Sequence, residues 1–164
     1  MKALSQLFFK VLFLSIAILV VIASVEYMKR SQRLQAEYYA LIMFSTSGMM
    51  LLASTSELIT IYVALELTAL PLAAIVAFNR DSHSTEAGMK FLILSAISSA
   101  VLLYGMVMVY GFTGSTVIQD IAEQLNRANL NPETPFGSYA VLFGIVLIIA
   151  GFGFKIASVP FQMW

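Results

Sequence analysis

Residues 57–78 read ELITIYVALELTALPLAAIVAF, an apolar run long enough to cross a bilayer, with one acid, Glu66, inside it. A carboxylate at membrane depth costs about 3 kcal/mol, so an acid there indicates a functional site. Further along the run, Pro71 removes a backbone N–H and crowds the carbonyl of Leu67. We therefore predict a helix break at Pro71 beside a buried acid, an arrangement suited to handling protons or ions.

The composition of the whole chain is that of an integral membrane protein. Of its 164 residues, 60% are hydrophobic and 11% are charged, whereas soluble domains are about 25% charged. The net charge of zero gives no indication of nucleic acid as a partner. The chain has no cysteine and one histidine, His83, which excludes iron–sulfur ligation, disulfides and bis-histidine haem. We expect no metal or cofactor site on this chain.

Four further apolar segments accompany the central run. We predict an all-α integral membrane protein, a single domain over 1–164, with about five transmembrane helices at 7–27, 38–55, 57–79, 85–112 and 137–164. Before the last of these, Thr116 and Gln119 have the spacing of a capping box, and apolar residues follow at helical intervals. A short amphipathic helix over about 116–128 is therefore predicted to lie at the membrane surface.

Small residues mark where the helices are expected to pack. Ala69 and Ala73 share a helical face with Tyr62 and Glu66, and small residues there let a neighbouring helix approach closely. In the fourth segment, small-xxx-small spacing predicts similar packing by Ser95, Ala96, Ser99 and Ala100.

The last segment carries a single charge, Lys155. On a helix this lysine shares its face with small or polar residues, namely Gly151, Ser158 and Gln162. Pro160 is predicted to break the helix, because it leaves the carbonyl of Ile156 without its N–H donor.

Each charge inside a segment has a structural alternative. In this alternative, Glu66 is a structural carboxyl that bonds to Tyr62 or to a neighbouring helix, and the side chain of Lys155 extends to the membrane interface. Lys90 pairs with Glu86 at i,i+4. The functional alternative is a proton relay, because desolvation disfavours the charged form of a buried group and pairing favours it. Small movements would then switch a proton on or off Lys155.

Loop charges predict how the chain crosses the membrane. Basic residues cluster at 29–33 after the first segment, and Arg80 with His83 follows the third, whereas the linker around Glu57 has no Lys or Arg. Positively charged short loops face the cytoplasm. The loop at Arg80 is therefore predicted to be cytoplasmic, and the Glu57 linker and the amphipathic helix lie outside.

Several strings are specific enough to indicate a family. LELTALPL around Glu66, EAGMKFLILSAISSAVLLYGMVMVYGFTGS at 86–115 and GFKIASVPFQMW at 153–164 resemble subunit N of bacterial NADH–quinone oxidoreductase (complex I). FFKVLFL and EYYAL near the start are also similar to that family. The family is a large antiporter-like subunit of fourteen helices, and this chain resembles the third to the seventh.

The resemblance implies proton translocation in a prokaryotic inner membrane, coupled to NADH oxidation and quinone reduction. It implies that Lys155 is the relay, that Glu66 is the acid modulating its charge, and that Lys90 is a nearby link. NADH, FMN, iron–sulfur clusters and quinone would belong to other subunits. This subunit would be non-redox, with other membrane-arm subunits and the lipid bilayer as its partners.

The chain departs from the family in two ways. The family usually has histidine where this chain has Gln162, and it continues where this chain stops at Trp164. We expect a fragment that is inactive alone. The alternatives are a subunit of a related multisubunit cation/proton antiporter, the membrane arm of a hydrogenase or F420H2 dehydrogenase, and a non-transporting helical scaffold. The charges of Glu66 and Lys155 argue against the scaffold.

Overall fold

The structure is a computed structural model that describes residues 2–29, 34–79, 81–128 and 135–158. These form six helices: α1 (Lys2–Met28), α2 (Gln35–Leu52), α3 (Leu58–Val76), α4 (Ser82–Thr113), α5 (Ile118–Ala128) and α6 (Pro135–Lys155). Within the described ranges there is no strand, and a single antiparallel bridge joins Glu57 to Val117. The predicted all-α fold is confirmed.

Three of the described helices are long and apolar enough to cross a membrane, over Ala3–Met28, Leu58–Val76 and Ser82–Thr113. The apolar stretch Tyr139–Lys155 of α6 is shorter. Large apolar side chains along α1 are exposed, as is normal where lipid surrounds a helix. The chain is thus a membrane protein. That α2 and α6 also cross the membrane, which would make five membrane helices, stays a prediction.

The predicted helix break at Pro71 needs correction. α3 continues through Pro71 to Val76, and the proline is buried within the helix. Proline is tolerated inside membrane helices because neighbouring groups compensate for the lost hydrogen bond. α6 ends at Lys155, well before Pro160, although the sequence predicted a helix reaching residue 164. Pro160 itself and Gln162 lie outside the described residues, as does Arg80.

The chain divides into two compact units, one formed by Met1–Thr55 with Val63–Leu92, the other by Ser56–Tyr62 with Ile93–Trp164. The single domain expected over 1–164 stays a prediction.

In the first unit α3 packs closely against both α2 and the start of α4. A Cβ added to Gly48 of α2 would lie 2.9 Å from the carbonyl oxygen of Ala64, and one added to Gly88 of α4 would lie 2.6 Å from the Cβ of Ala77. The hydroxyl of Ser45 donates to the carbonyl of Thr68 over 3.3 Å. Small residues therefore let these helices meet at backbone distance.

In the second unit α5 is amphipathic, as predicted. Ile121 is buried and Leu125 is half-buried, whereas Asp120 and Glu123 are exposed. The predicted capping box is wrong, because the hydrogen bond from the N–H of Ile121 to the carbonyl of Val117 makes Val117 the N-cap in place of Thr116. The hydroxyl of Thr116 donates to Glu57. The helix begins at Ile118, and the hydroxyl of Ser115 accepts the N–H of Val117 over 3.2 Å.

Candidate functional site

The candidate site lies where α4 and α6 pack against each other in the second unit. A Cβ added to Gly105 of α4 would lie 2.6 Å from the carbonyl oxygen of Gly144, and one added to Gly151 of α6 would lie 2.6 Å from the Cβ of Leu102. Real Cβ atoms do not approach that closely, so these glycines let the two backbones touch. The site therefore lies at a close helix contact.

The contacting residues of both helices recur at alternating intervals of three and four, the spacing of antiparallel helices that pack along one seam. On α4 they are Ser95, Ser98, Leu102, Gly105 and Val109, all of them buried. On α6 they are Gly144, Ile148, Gly151 and Lys155, and the buried Val141 continues the same spacing. The seam thus carries serines at one end, opposite the lysine.

Hydrogen bonds cross the seam at this end. The Nζ of Lys155 donates to the Oγ of Ser95 over 3.0 Å. One turn away, the Oγ of Ser98 donates to the carbonyl oxygen of Gly151 over 2.9 Å. The side chain of Lys155 is half-buried, so its charge is partly removed from solvent and is held against α4.

Lys155 is also the last residue of its helix, and the chain turns sharply after it. Ala157 has a left-handed backbone, with φ of 50°. The N–H of Ala157 donates to the carbonyl of Phe154, and the N–H of Ser158 donates to that of Gly153 over 2.9 Å, the pattern of a Schellman motif. The helix end that the sequence assigned to Pro160 is therefore made by this turn, directly after the lysine.

Glu66 lies half-buried on α3 in the first unit. The predicted small face is present, since Ala69 and Ala73 are 7% and 6% exposed. A Cβ added to Gly88 of α4 would lie 3.1 Å from the carbonyl oxygen of Ala73, so a neighbouring helix does approach this face closely. Glu66 thus lies on a helix whose small face, formed by Ala69 and Ala73, is packed as the sequence predicted.

Lys90 forms an ion pair with Glu86, one turn earlier on α4. Both side chains are mostly exposed, at 65% and 59%. Exposed pairs of this kind contribute little to stability. The described contacts of Lys90 therefore match the structural alternative, a local i,i+4 pair, and its role as a link stays a prediction.

The structure places the predicted charged residues in different surroundings. Glu66 and Lys90 belong to the first unit and Lys155 to the second.

Among the described residues, no group of three or more His, Asp or Glu side chains gathers that would hold a metal ion.

A second polar cluster, which the sequence did not indicate, joins the linker before α3 to the linker before α5. The carboxylate of Glu57 accepts hydrogen bonds from the hydroxyls of Thr60 and Thr116. The N–H of Leu58 donates to the carbonyl of Thr116 over 2.8 Å, and that of Ile118 donates to the carbonyl of Ser56 over 3.1 Å. We call this cluster the Glu57 clamp, because it fixes the start of α5 to the start of α3.

The clamp has an electrostatic consequence. The hydrogen bond from Thr60, and next the one from Thr116, lower the pKa of Glu57 below its ordinary value. Both bonds go to the carboxylate form, which they stabilise. The clamp is therefore tightest when Glu57 is ionised.

The sequence did not indicate that Ser95 is a partner of Lys155. Small-xxx-small spacing predicted packing by Ser95 and Ser99 together with Ala96 and Ala100, but the two alanines are exposed. The alternating spacing of three and four along both helices was the signal that separates the buried serines from the exposed alanines.

Comparison with known protein families gives a match over residues 55–164 to the family described as NADH:quinone oxidoreductase/Mrp antiporter, transmembrane. The matched region includes α3, α4, α5 and α6, and with them Glu66, Lys90 and Lys155.

Curated relatives are similar over nearly the whole chain. NADH-quinone oxidoreductase subunit N of Dehalococcoides mccartyi is 42% identical over 161 residues, which cover 96% of this chain and 32% of that protein. F(420)H(2) dehydrogenase subunit N of Methanosarcina mazei is 42% identical over 163 residues, covering 99% of this chain and 31% of that protein. The chain thus spans about a third of the length of the curated relatives it matches.

A solved structure is similar in fold as well. Respiratory complex I from Thermus thermophilus with bound aureothin contains a chain that matches this one with a TM-score of 0.63 and 36% sequence identity. The match covers 78% of this chain and 26% of that chain.

Proposed function

Because this chain belongs to the NADH:quinone oxidoreductase/Mrp antiporter transmembrane family, we propose that it is part of a proton-translocating membrane subunit of an NADH–quinone oxidoreductase. As a member of that family with several apolar helices, it is a multi-pass protein of the inner membrane. Its relatives named subunit N support the choice of subunit.

The single observation that carries the proposal is the position of Lys155. It is the one charged residue of α6, it is half-buried, and its Nζ lies 3.0 Å from a buried hydroxyl on the facing helix. A lysine that only extends to the interface has no need of a buried partner. A lysine held between packed helices can exchange its proton with groups or water at the seam, which is what a relay requires.

The other charges take supporting roles in this proposal. Glu66, half-buried on α3, is the acid that modulates the charge of the lysine, the role that the family resemblance implies for it. Lys90 is a link, and its exposed pair with Glu86 suggests that its contribution is smaller. We assign no helix break to Pro71 in this mechanism, because α3 continues through it.

The redox chemistry belongs to other subunits in this proposal. NADH, FMN, iron–sulfur clusters and quinone are bound elsewhere in the complex, and this subunit is a non-redox translocase. The chain has no cysteine to ligate a cluster. Its partners are other membrane-arm subunits and lipid, and a piece of this length is inactive when it is isolated from them.

The test is replacement of Lys155 by alanine in the complete subunit within its complex. We expect Lys155→Ala to abolish most NADH-driven proton uptake into inverted membrane vesicles while the complex still assembles, because the change removes a partly buried charge and leaves small neighbours. The matched control is Lys29→Ala, since Lys29 is an exposed lysine paired with Glu26 three residues earlier. We expect Lys90→Ala to lower uptake less than Lys155→Ala does.

Two results would count against this assignment. Wild-type uptake in Lys155→Ala would remove the lysine from the mechanism. Equal loss in Lys155→Ala and Lys29→Ala would show that the assay reports a general effect of losing a positive charge.

A second candidate differs in the electron donor. The relative from Methanosarcina mazei is named F(420)H(2) dehydrogenase subunit N and matches 99% of this chain. The lysine and the acid would serve the same purpose in such a complex. Membranes that oxidise reduced F420 but not NADH, and take up protons as they do so, would favour this candidate.

A further inference from the structure

Ser95 carries a hydroxyl that bonds to the proposed relay. It lies on α4 with 5% of its surface exposed, and its Oγ accepts the hydrogen bond from the Nζ of Lys155 over 3.0 Å. Ser95 and Lys155 are 60 positions apart in sequence, and they meet because α4 and α6 pack antiparallel along the glycine seam. The contact is therefore fixed by the same packing that holds the two helices together.

A hydroxyl is unusual in what it offers a lysine. Its oxygen accepts a hydrogen bond from an ammonium, and its rotatable hydrogen can donate to the lone pair of a neutral amine. A backbone carbonyl can only accept, so it cannot bond to the lone pair that the amine gains when the lysine gives up its proton. Ser95 can thus keep the Nζ of Lys155 in one place in both protonation states.

We propose that Ser95 is a positioning residue that holds the amine of Lys155 at the α4–α6 seam while its proton is taken up and released. This inference rests on the proposed relay function of Lys155. Without the hydroxyl, the flexible lysine side chain would lose this bond to α4, and its Nζ would be held less closely at the seam. Proton transfer would then slow, because the donor and acceptor must lie within hydrogen-bond reach.

Ser98 shows what a purely structural serine at this seam looks like. It is on the same helix, it is 6% exposed, and it also bonds to α6. Its partner, however, is the carbonyl of Gly151 and not the lysine, and its Oγ lies 2.9 Å from that oxygen. Ser98 is therefore a matched control for Ser95 in residue type, burial and helix contact.

The experiment compares serine variants in the complete complex in inverted membrane vesicles, with assembly checked for each. For Ser95→Ala we expect an initial rate of NADH-driven proton uptake roughly tenfold below wild type, the scale of a lost hydrogen bond to a charged group. Ser95→Cys keeps the side-chain volume but offers a weak donor and acceptor, so it should fall similarly. Ser95→Thr retains the hydroxyl and should recover most of the rate, and Ser98→Ala should stay within about twofold of wild type.

The outcomes separate this inference from the proposed function. Loss of uptake in Lys155→Ala, with Ser95→Ala at the wild-type rate, overturns the role of Ser95 and leaves the relay standing. Equal losses in Ser95→Ala and Ser98→Ala, or a threonine variant no better than the alanine variant, also overturn it, because packing then explains the effect. Wild-type uptake in Lys155→Ala overturns both.

Discussion

The ammonium nitrogen of Lys155 and the hydroxyl oxygen of Ser95 lie 3.0 Å apart, across two helices that meet backbone to backbone. The lysine ends α6, and the serine faces it from within α4. Glycines at the seam let the two helices approach this closely. If the proposed function holds, these glycines matter to proton transfer as well as to stability.

Enlarging one of these glycines should destabilise the pair of helices. A Cβ at Gly151 would lie 2.6 Å from the Cβ of Leu102 and 2.9 Å from its Cα. Overpacking of this kind costs typically 1–3 kcal/mol. We expect Gly151→Ala to lower the thermal stability of the subunit in detergent and to reduce its assembly into the complex.

Gly111 supplies the control for that prediction. It lies on α4 as well, but a Cβ added there would meet nothing within 4 Å. Gly111→Ala should leave stability unchanged or raise it by up to about 1 kcal/mol, since alanine favours a helix more than glycine does. If the two substitutions lowered the unfolding temperature equally, close packing would not be the reason that Gly151 is needed.

The Glu57 clamp should weaken in acid. Its hydrogen bonds lower the pKa of Glu57 from the ordinary value of 4.5, so the folded clamp holds its proton less tightly than the unfolded chain does. Its contribution to stability is then complete above the ordinary pKa and is lost as the pH falls through the lowered one. We expect the protection of the Leu58 and Ile118 amides against hydrogen exchange to fall in that acidic range.

Glu57→Gln is the variant that isolates this effect, because glutamine has a similar shape and does not titrate. After correction for intrinsic exchange rates, its protection at Leu58 and Ile118 should be lower than in the wild type near neutral pH and should not change on acidification. A wild-type chain whose protection stayed constant through the same range would show that the clamp does not depend on the ionised carboxylate.

The sequence predicted the helices of this chain well, because a membrane helix is specified by local properties. Length and hydropathy located α3 and α4, and spacing located the amphipathic α5. The ends were harder to predict. The end of α6 depends on a left-handed alanine, Ala157, at a position where glycine is the usual signal, so the sequence directed attention to Pro160 instead.

The candidate site was only partly predictable for a related reason. A lone lysine in an apolar run stands out in sequence, and Lys155 is indeed half-buried at a helix contact. Its partner does not stand out, since Ser95 is one of several small residues in its segment. Which of them face α6 is decided by the register of two helices far apart in the chain, and local patterns do not contain that register.

The predicted orientation can be tested with single cysteines, because the chain has none of its own. Ser82 and Ser56 are both exposed, and they lie at opposite ends of the segment that contains α3. Loop charges place the first inside and the second outside. In intact cells, an impermeant maleimide should label Ser56→Cys and leave Ser82→Cys unlabelled. The reverse pattern of labelling would invert the topology.

In the proposed function Lys155 works by gaining and losing a proton, and Lys155→Arg separates this role from one that needs only its positive charge. Arginine keeps the positive charge and the reach of the side chain, but it does not release its proton in proteins. The measurement is the number of protons pumped per electron transferred in vesicles that carry the variant complex. We expect pumping to be severely impaired in an assembled complex, whereas wild-type pumping with arginine at position 155 would contradict a titrating relay.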